Sequence, residues 1–415
     1  MKDKVDLYSC SALLLDSGGG WNQAQESSYI YFGKPESSLS CLDGFISIQN
    51  FSRAPDLNRD PLDILRDVLS DGFVAVGYIG YEYSRFTQEG FSPTRLKDGE
   101  RFPDMHFLFY KAKDINSGRV GELAYQGGGS SHIAITTAGY KCLVNSNMPK
   151  EEYLNKVKLA KDFIERGDIY QVNLSQRFRA KFNMDPLKYF LNLYNIQPVP
   201  YGCYINFGEY KIVSGSMELF LRRKGNEIVT KPIKGTRKRG GSSRTDELLI
   251  YELAKSDKER AENLMIVDLM RNDLSRICDF GTVNVRSLFK IESYSTLHQM
   301  VSEVGGSLRR FMGPKDIIEN TFPPGSVTGA PKKRTLEIID VLEPHHRGPY
   351  CGVMGIFMPD GDFTLSVGIR IVVIRNDSAT FWVGGGIVWD SEPDEEYEET
   401  LIKARAILSA MASPS

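Results

Sequence analysis

Asp168-Ile169-Tyr170-Gln171-Val172-Asn173-Leu174-Ser175 is the stretch from which the fold can be read. It follows a segment with helix signals at both ends. Asn147 can cap, Pro149 suits a first turn, Glu151 and Glu152 complement the dipole, and Gly167 can terminate. Leu154, Val157, Ala160, Phe163 and Ile164 keep helical spacing between those ends. Residues 169–174 then read as a strand, as do Tyr210-Lys211-Ile212-Val213 and Ile369-Arg370-Ile371-Val372-Val373-Ile374. Further helices are expected near 246–273 and 394–412. Strands and helices do not alternate in strict β-α-β order, so the class expected is α+β rather than a doubly wound sheet.

Upstream, residues 3–138 show short β-rich runs such as Phe73-Val74-Ala75-Val76-Gly77-Tyr78-Ile79-Gly80, broken by polar clusters. They end in the flexible Gly127-Gly128-Gly129-Ser130-Ser131. This divides the chain into an N-terminal region, 1–145, and a C-terminal region, 146–412. At 415 residues the chain exceeds the usual ~250–300 residues of a single core, so a large composite unit or two intimate ones are expected.

A formal net charge of −2 gives no global field to attract nucleic acid or an anionic membrane, so any anionic substrate must meet local positive charge. The six cysteines stand tens of residues apart without C-x-x-C spacing, and read as reduced, packed thiols. Ala12 to Leu15 is too short for a signal peptide's apolar core, and no run approaches the ~18 apolar residues of a membrane span. A cytoplasmic protein is expected, with neither nucleic-acid nor membrane partners.

Several motifs fail on spacing. Gly325-Ser326-Val327-Thr328-Gly329-Ala330-Pro331-Lys332-Lys333 departs from the phosphate-loop pattern, because its lysine does not follow the second glycine. Gly384-Gly385-Gly386 lacks dinucleotide-binding spacing. It reads either as a tight turn or as a place where backbone N–H groups approach a carboxylate closely. His345-His346 is expected to be an exposed loop pair, not a metal site. The basic residues from Lys231 to Arg244 carry no interleaved aromatics and read as a solvated loop, Lys234 excepted.

Glu259 with Glu262, and Glu396 with Glu399, place carboxylates three apart on helices. On an ordinary surface such pairs only solubilise. Here each pair borders a buried helix, and two converging pairs would make an oxygen-only site of the kind Mg2+ prefers.

These residues resemble the chorismate-utilising enzymes: component I of anthranilate synthase and of aminodeoxychorismate synthase, and the isochorismate and salicylate synthases. The resemblance rests on 168–175, on Pro232-Ile233-Lys234-Gly235-Thr236, on Glu262-Asn263-Leu264-Met265-Ile266-Val267-Asp268-Leu269, on 325–332 and on Gly384-Gly385-Gly386-Ile387-Val388, in order over 150–412. It implies two large antiparallel β-sheets packed as a sandwich with helices outside. It also implies a Mg2+ ion held by Glu262 and Glu399, with Glu259 and Glu396 acting directly or through water. Arg370, Lys403 and the amides of Gly384, Gly385 and Gly386 would receive the carboxylates of chorismate, and Tyr350, Ser326, Thr236 and Gln171 would line its site. Glu218 matches the general acid, which would need a raised pKa to hold its proton near neutrality. Asp16, Ser17, Pro200 and Tyr201 resemble the family's tryptophan pocket, although packing alone would explain them.

Two positions divide the family by nucleophile. The water-using members carry lysine where this chain has Gln171. Anthranilate synthases carry alanine where this chain has Lys234, whereas the aminodeoxychorismate branch has lysine, whose amine can attack the ring before ammonia replaces it. Gln299 stands where anthranilate synthases carry histidine, which makes pyruvate elimination less expected. The resemblance therefore implies conversion of chorismate and ammonia to 4-amino-4-deoxychorismate, on the route to p-aminobenzoate and folate. Ammonia would come from glutamine through a separate amidotransferase subunit in a heterodimer, because no segment here resembles a glutaminase. The alternatives are anthranilate synthesis and a degenerate scaffold for an amidotransferase.

Overall fold

The structure, a computed structural model, describes residues 7–21, 26–51, 55–93, 97, 99–120 and 144–411. The expected linker Gly127 to Ser131 and Cys142 lie outside the described residues. Two antiparallel sheets, of ten and eleven strands, carry the fold, as the α+β sandwich expectation holds. Strands from before and after residue 145 contribute to both. Ala12–Asp16 pairs with Tyr201–Asn206 in the ten-stranded sheet, and Phe73–Ile79 pairs with Val353–Phe357 in the eleven-stranded sheet.

The apolar runs explain this packing. Every residue of Ala12–Asp16 is buried. Ala12 and Leu14 join the core that Val74, Val76 and Leu365 enter from the other sheet, while Leu13 and Leu15 point the opposite way. That outer face is covered by the helices Pro186–Ile196 and Pro393–Met411, through residues such as Phe190, Leu193, Ala404 and Ile407. A strand covered on both faces needs apolar residues without alternation, as the sequence shows.

The helix expected after Asn147 runs Lys150–Glu165 and ends before Gly167, whose φ of 77° is the left-handed geometry that glycine adopts without strain. Asn147 does not cap it. Its Oδ1 accepts from the Arg177 N–H at 2.8 Å and its Nδ2 lies 2.9 Å from His345 Nδ1, so it brackets two other segments instead. The helical stretch expected near 246–273 is two helices, Ser243–Lys255 and Asp257–Ser275, because the Ser256 hydroxyl caps the second through the Glu259 N–H.

Two further expectations need correction. His345 and His346 are buried, not exposed, at 1% and 7%. His345 contacts Asn147 and Ser175, and burial holds its pKa down at about 4. Arg370 does not interrupt a strand. The strand is Ile371–Arg375, and Arg370 sits just before it with φ 51°, where the chain turns out of Phe363–Val367 in the other sheet. Cys10, Cys41, Cys203, Cys278 and Cys351 are free and buried, as expected.

Candidate active site

Two of the places where the chain crosses between the sheets are adjacent, and both carry site residues. Met217 and Glu218 link Lys211–Ser216 in the ten-stranded sheet to Leu219–Lys224 in the other, while residues 368–370 make the return crossing. The crossings touch: the Val367 N–H donates to the Glu218 carbonyl at 3.0 Å.

Glu218 is 5% exposed. Burial pushes its pKa up to about 7, against the opposing pull of the Ser326 hydroxyl, the Lys234 charge and the Ile233 N–H. A carboxyl that holds its proton near neutrality is what a general acid requires. Ser326 reaches it from the buried turn Gly325–Val327.

Lys234 lies on Ile233–Lys238, which pairs with Leu297–Ser307. The register slips between Lys234, opposite Met300, and Thr236, opposite Gln299. Gly235 makes this bulge with φ +78°. A Cβ there would come 2.9 Å from Glu259 Oε2, so the glycine also lets the acidic helix approach the strand. A Cβ on Gly386 would stand 2.8 Å from Gln171 Nε2 and 3.3 Å from Lys234 Nζ. The missing side chain at Gly386 thus leaves space in which the amine and the amide converge. Gln171 is fully buried, and neither its Nε2 nor its Oε1 has a hydrogen-bond partner. A buried amide without partners is costly, and a polar ligand would satisfy it.

Glu259 and Glu396 sit in the first turns of Asp257–Ser275 and Pro393–Met411, and Glu262 and Glu399 follow one turn further along the same helices. A Cβ on Gly385 would come 2.9 Å from Glu396 Oε2 and 3.8 Å from Glu399 Oε1, so these two oxygens converge beside the glycine run. Burial raises the pKa of Glu262; Lys234 opposes this, while Glu259 and Glu399 add to it. Burial raises Glu396 as well, against a 2.7 Å hydrogen bond from the Ser391 hydroxyl. Glu399 is the most open of the four, its side chain 51% exposed, and burial would raise it too. The 2.6 Å pair with Lys403 outweighs that and holds it low. Among the described residues no three His, Cys, Asp or Glu side chains stand close enough to bind one ion directly. The donor set is nonetheless all carboxylate oxygen, with two members raised by burial and like charge. That chemistry suits a hard divalent cation keeping several waters.

Lys403 Nζ also donates to the Gly384 carbonyl at 2.8 Å, and the Arg370 guanidinium donates to the Lys403 carbonyl. Arg370, Lys403 and the glycine run are therefore one linked group. Tyr350 is buried, its ring stacked 6.2 Å from that of Trp382. Thr236 is exposed on its strand, opposite Gln299.

Pro200 and Tyr201 line a separate cavity of about 360 Å³ with Met217, Ile233 and Tyr294. Asp16 shapes its rim by accepting from the Gly18 and Gly20 N–H groups at 2.8 and 2.9 Å, while the buried Ser17 hydroxyl has no partner. This cavity abuts the site through Met217, beside Glu218, and Ile233, beside Lys234. Gln299 is fully buried; its Nε2 faces the Met217 sulfur and its Oε1 is unpartnered. His298, one residue earlier, points the other way, to Ser293 and Asp246 at 2.8 and 2.9 Å. A buried Arg347–Glu343 pair also stands beside the site, and motif reading passed over it. Its i,i+4 spacing was the available signal.

The model of the chorismate binding enzyme family matches residues 12–409. Anthranilate synthase component 1 of Aquifex aeolicus (strain VF5) is 42% identical over 266 residues, which are 64% of this chain and 54% of that protein. The chloroplastic aminodeoxychorismate synthase of Arabidopsis thaliana is also 42% identical over 266 residues, 63% of this chain and 29% of that protein. The matched stretch thus spans about half of the first relative and under a third of the second. The crystal structure of anthranilate synthase component I from Streptococcus pneumoniae TIGR4 superposes with a TM-score of 0.76 at 28% identity, covering 92% of both chains. With the family match over residues 12–409 and the same sandwich in the pneumococcal structure, the chain belongs to the family of chorismate binding enzymes.

Proposed function

We propose that the protein aminates chorismate at ring carbon 4, giving 4-amino-4-deoxychorismate. The observation that carries this reading is the convergence of the Lys234 amine and the unpartnered Gln171 amide over Gly386, with Glu218 in reach of the Lys234 charge. A second cation at position 171 would suit activation of water; a neutral amide suits ammonia.

In this reading the neutral Lys234 amine attacks carbon 2 of the ring. Both ring double bonds shift by one position, to carbons 1–6 and 4–5, the carbon 4–oxygen bond breaks, and Glu218 gives its proton to the departing hydroxyl, which leaves as water. Ammonia then attacks carbon 4, both double bonds shift back and the Lys234 amine is released from carbon 2. The new ammonium returns a proton to Glu218, so chorismate and ammonia yield the amino product and water. Arg370, Lys403 and the Gly384–Gly386 amides hold the carboxylates; an Arg fork fits one bidentately. Mg2+, held by Glu262 and Glu399 with Glu259 and Glu396, would neutralise the ring carboxylate.

Chorismate, Mg2+ and ammonium with purified protein test the reading by the identity of the product. 4-Amino-4-deoxychorismate supports it. Fluorescent anthranilate supports the runner-up, which the Aquifex relative's name favours, and no turnover supports a non-catalytic scaffold.

Ammonia would reach the site from a glutamine amidotransferase subunit. Glutamine should therefore support turnover only after such a subunit is added; glutamine-dependent activity of the chain alone would contradict this. No helix among the described residues is long and apolar enough to cross a membrane. A cytoplasmic setting remains part of the proposal.

The acid also sets a pH dependence. Glu218 must be protonated to act, and its pKa stands at about 7, so kcat should fall as pH rises through about 7. A profile of kcat with ammonia held saturating checks this, and a flat profile across pH 6 to 8 would remove Glu218 from the role.

A further inference from the structure

Arg347 is 1% exposed and lies among three segments that each bear a candidate site residue. Its Nε donates to Glu343 Oε2 at 2.8 Å and its Nη2 to Glu343 Oε1 at 2.6 Å, a two-pronged fork. Nη1 donates to the carbonyl of Val327, next to Ser326, at 3.1 Å. Nη2 also donates to the carbonyl of Asn173, two residues from Gln171, at 2.6 Å. The guanidinium lies 4.5 Å over the Tyr81 ring and 5.9 Å from that of Tyr350. Glu343 anchors the pair to the same strand by accepting from the Ser175 N–H and hydroxyl at 2.7 and 2.8 Å.

We propose that Arg347 is a positioning residue: its planar fork ties the Gly325–Val327 turn to the strand Gln171–Lys181 and so keeps the Ser326 hydroxyl on Glu218. This rests on the reading of Glu218 as the acid of the proposed reaction. A planar fork serves carbonyls in two directions and a carboxylate in a third at once, which a lysine ammonium cannot do in the same geometry. A buried pair contributes little net stability against an apolar replacement, so a structural role alone gives no reason for its three-way placement.

Four groups face Glu218: the Lys234 side chain, the Ser326 hydroxyl, the Ile233 N–H and, within its field, the Cys351 thiol. The Ser326 contact lowers the Glu218 pKa, so losing it must raise that pKa further. Arg347→Lys keeps the positive charge, so a shift would not come from removing a charge. It should lower kcat about tenfold or more with little change in KM, because a small misplacement costs rate more than binding. It should also move the Glu218 midpoint up by about half a unit or more.

The midpoint is read by infrared difference spectroscopy of the protonated carboxyl stretch against pH, with Glu218→Gln supplying the assignment. This needs no turnover, so its outcome stands apart from whether chorismate is the substrate. An upward shift in Arg347→Lys that vanishes in a Ser326→Ala background supports the proposal. An unmoved midpoint, or a shift that adds to that of Ser326→Ala, overturns it. Should Arg347→Lys fail to fold, Tyr81→Leu, which removes the ring beneath the guanidinium and leaves the ion pair, decides by the same readout: a smaller upward shift supports and no shift overturns.

Discussion

Lys234→Ala should lose most carbon 4 amination, roughly a hundredfold or more in rate, if the amine is a covalent nucleophile. The substitution leaves Gln171, Glu218 and the four glutamates in place, so chorismate should still bind. The amine stands over Gly386 beside the Gln171 amide, and its removal leaves ammonia to meet carbon 2 directly. Residual product should therefore be the carbon 2 amine or anthranilate, separable by chromatography and fluorescence. Near-normal 4-amino-4-deoxychorismate from this variant would remove Lys234 from the chemistry while leaving the family membership untouched.

Glu218→Gln should cost about 10²–10⁴ in kcat, because hydroxide is a poor leaving group and glutamine has no proton to give. Its effect on stability should have the opposite sign. The folded pKa is raised to about 7 from an ordinary 4.5, so the stability that Glu218 contributes is fully present below about 4.5 and is lost as pH rises through about 7. Glutamine has the same shape and no charge to bury. The variant's Tm should match that of the wild type near pH 5 and exceed it at pH 8, when both are followed by thermal denaturation. An inactive variant with no pH-dependent gain would mean that the Glu218 carboxylate is already solvated when ionised.

Glu262→Gln or Glu399→Gln should raise the Mg2+ concentration needed for half-maximal rate and KM for chorismate together, because the ion would link these carboxylates to the ring. Titration of activity with Mg2+ checks it. A variant with wild-type Mg2+ dependence would remove that residue from the metal site.

The elements were legible wherever a local rule was enough. Apolar runs covered on both faces announced the strands, and Gly167 announced the end of a helix. The convergence of the Lys234 amine with the Gln171 amide was not legible, because Gly386, 215 residues from Gln171, opens the space between them. Arg370 was misplaced for a related reason: its apolar neighbours continue on both sides, and only the crossing between sheets bends the chain there. The buried histidines were misread because His-His beside Gly-Pro has the composition of an exposed turn. Their partners are Asn147 and Ser175 for His345 and Glu82 for His346, groups far off in the chain that only the folded sandwich brings to them. Asn147 has a capping residue's chemistry, but tertiary contacts claimed its side chain first.

The central claim, that Lys234 is the nucleophile of a carbon 4 amination, is tested most directly by mass spectrometry of enzyme quenched during turnover with chorismate, Mg2+ and ammonium. A chorismate-derived adduct on the peptide containing Lys234, absent from Lys234→Ala, is the expected result. Steady turnover to 4-amino-4-deoxychorismate with no adduct on that peptide at any quench time would contradict the claim.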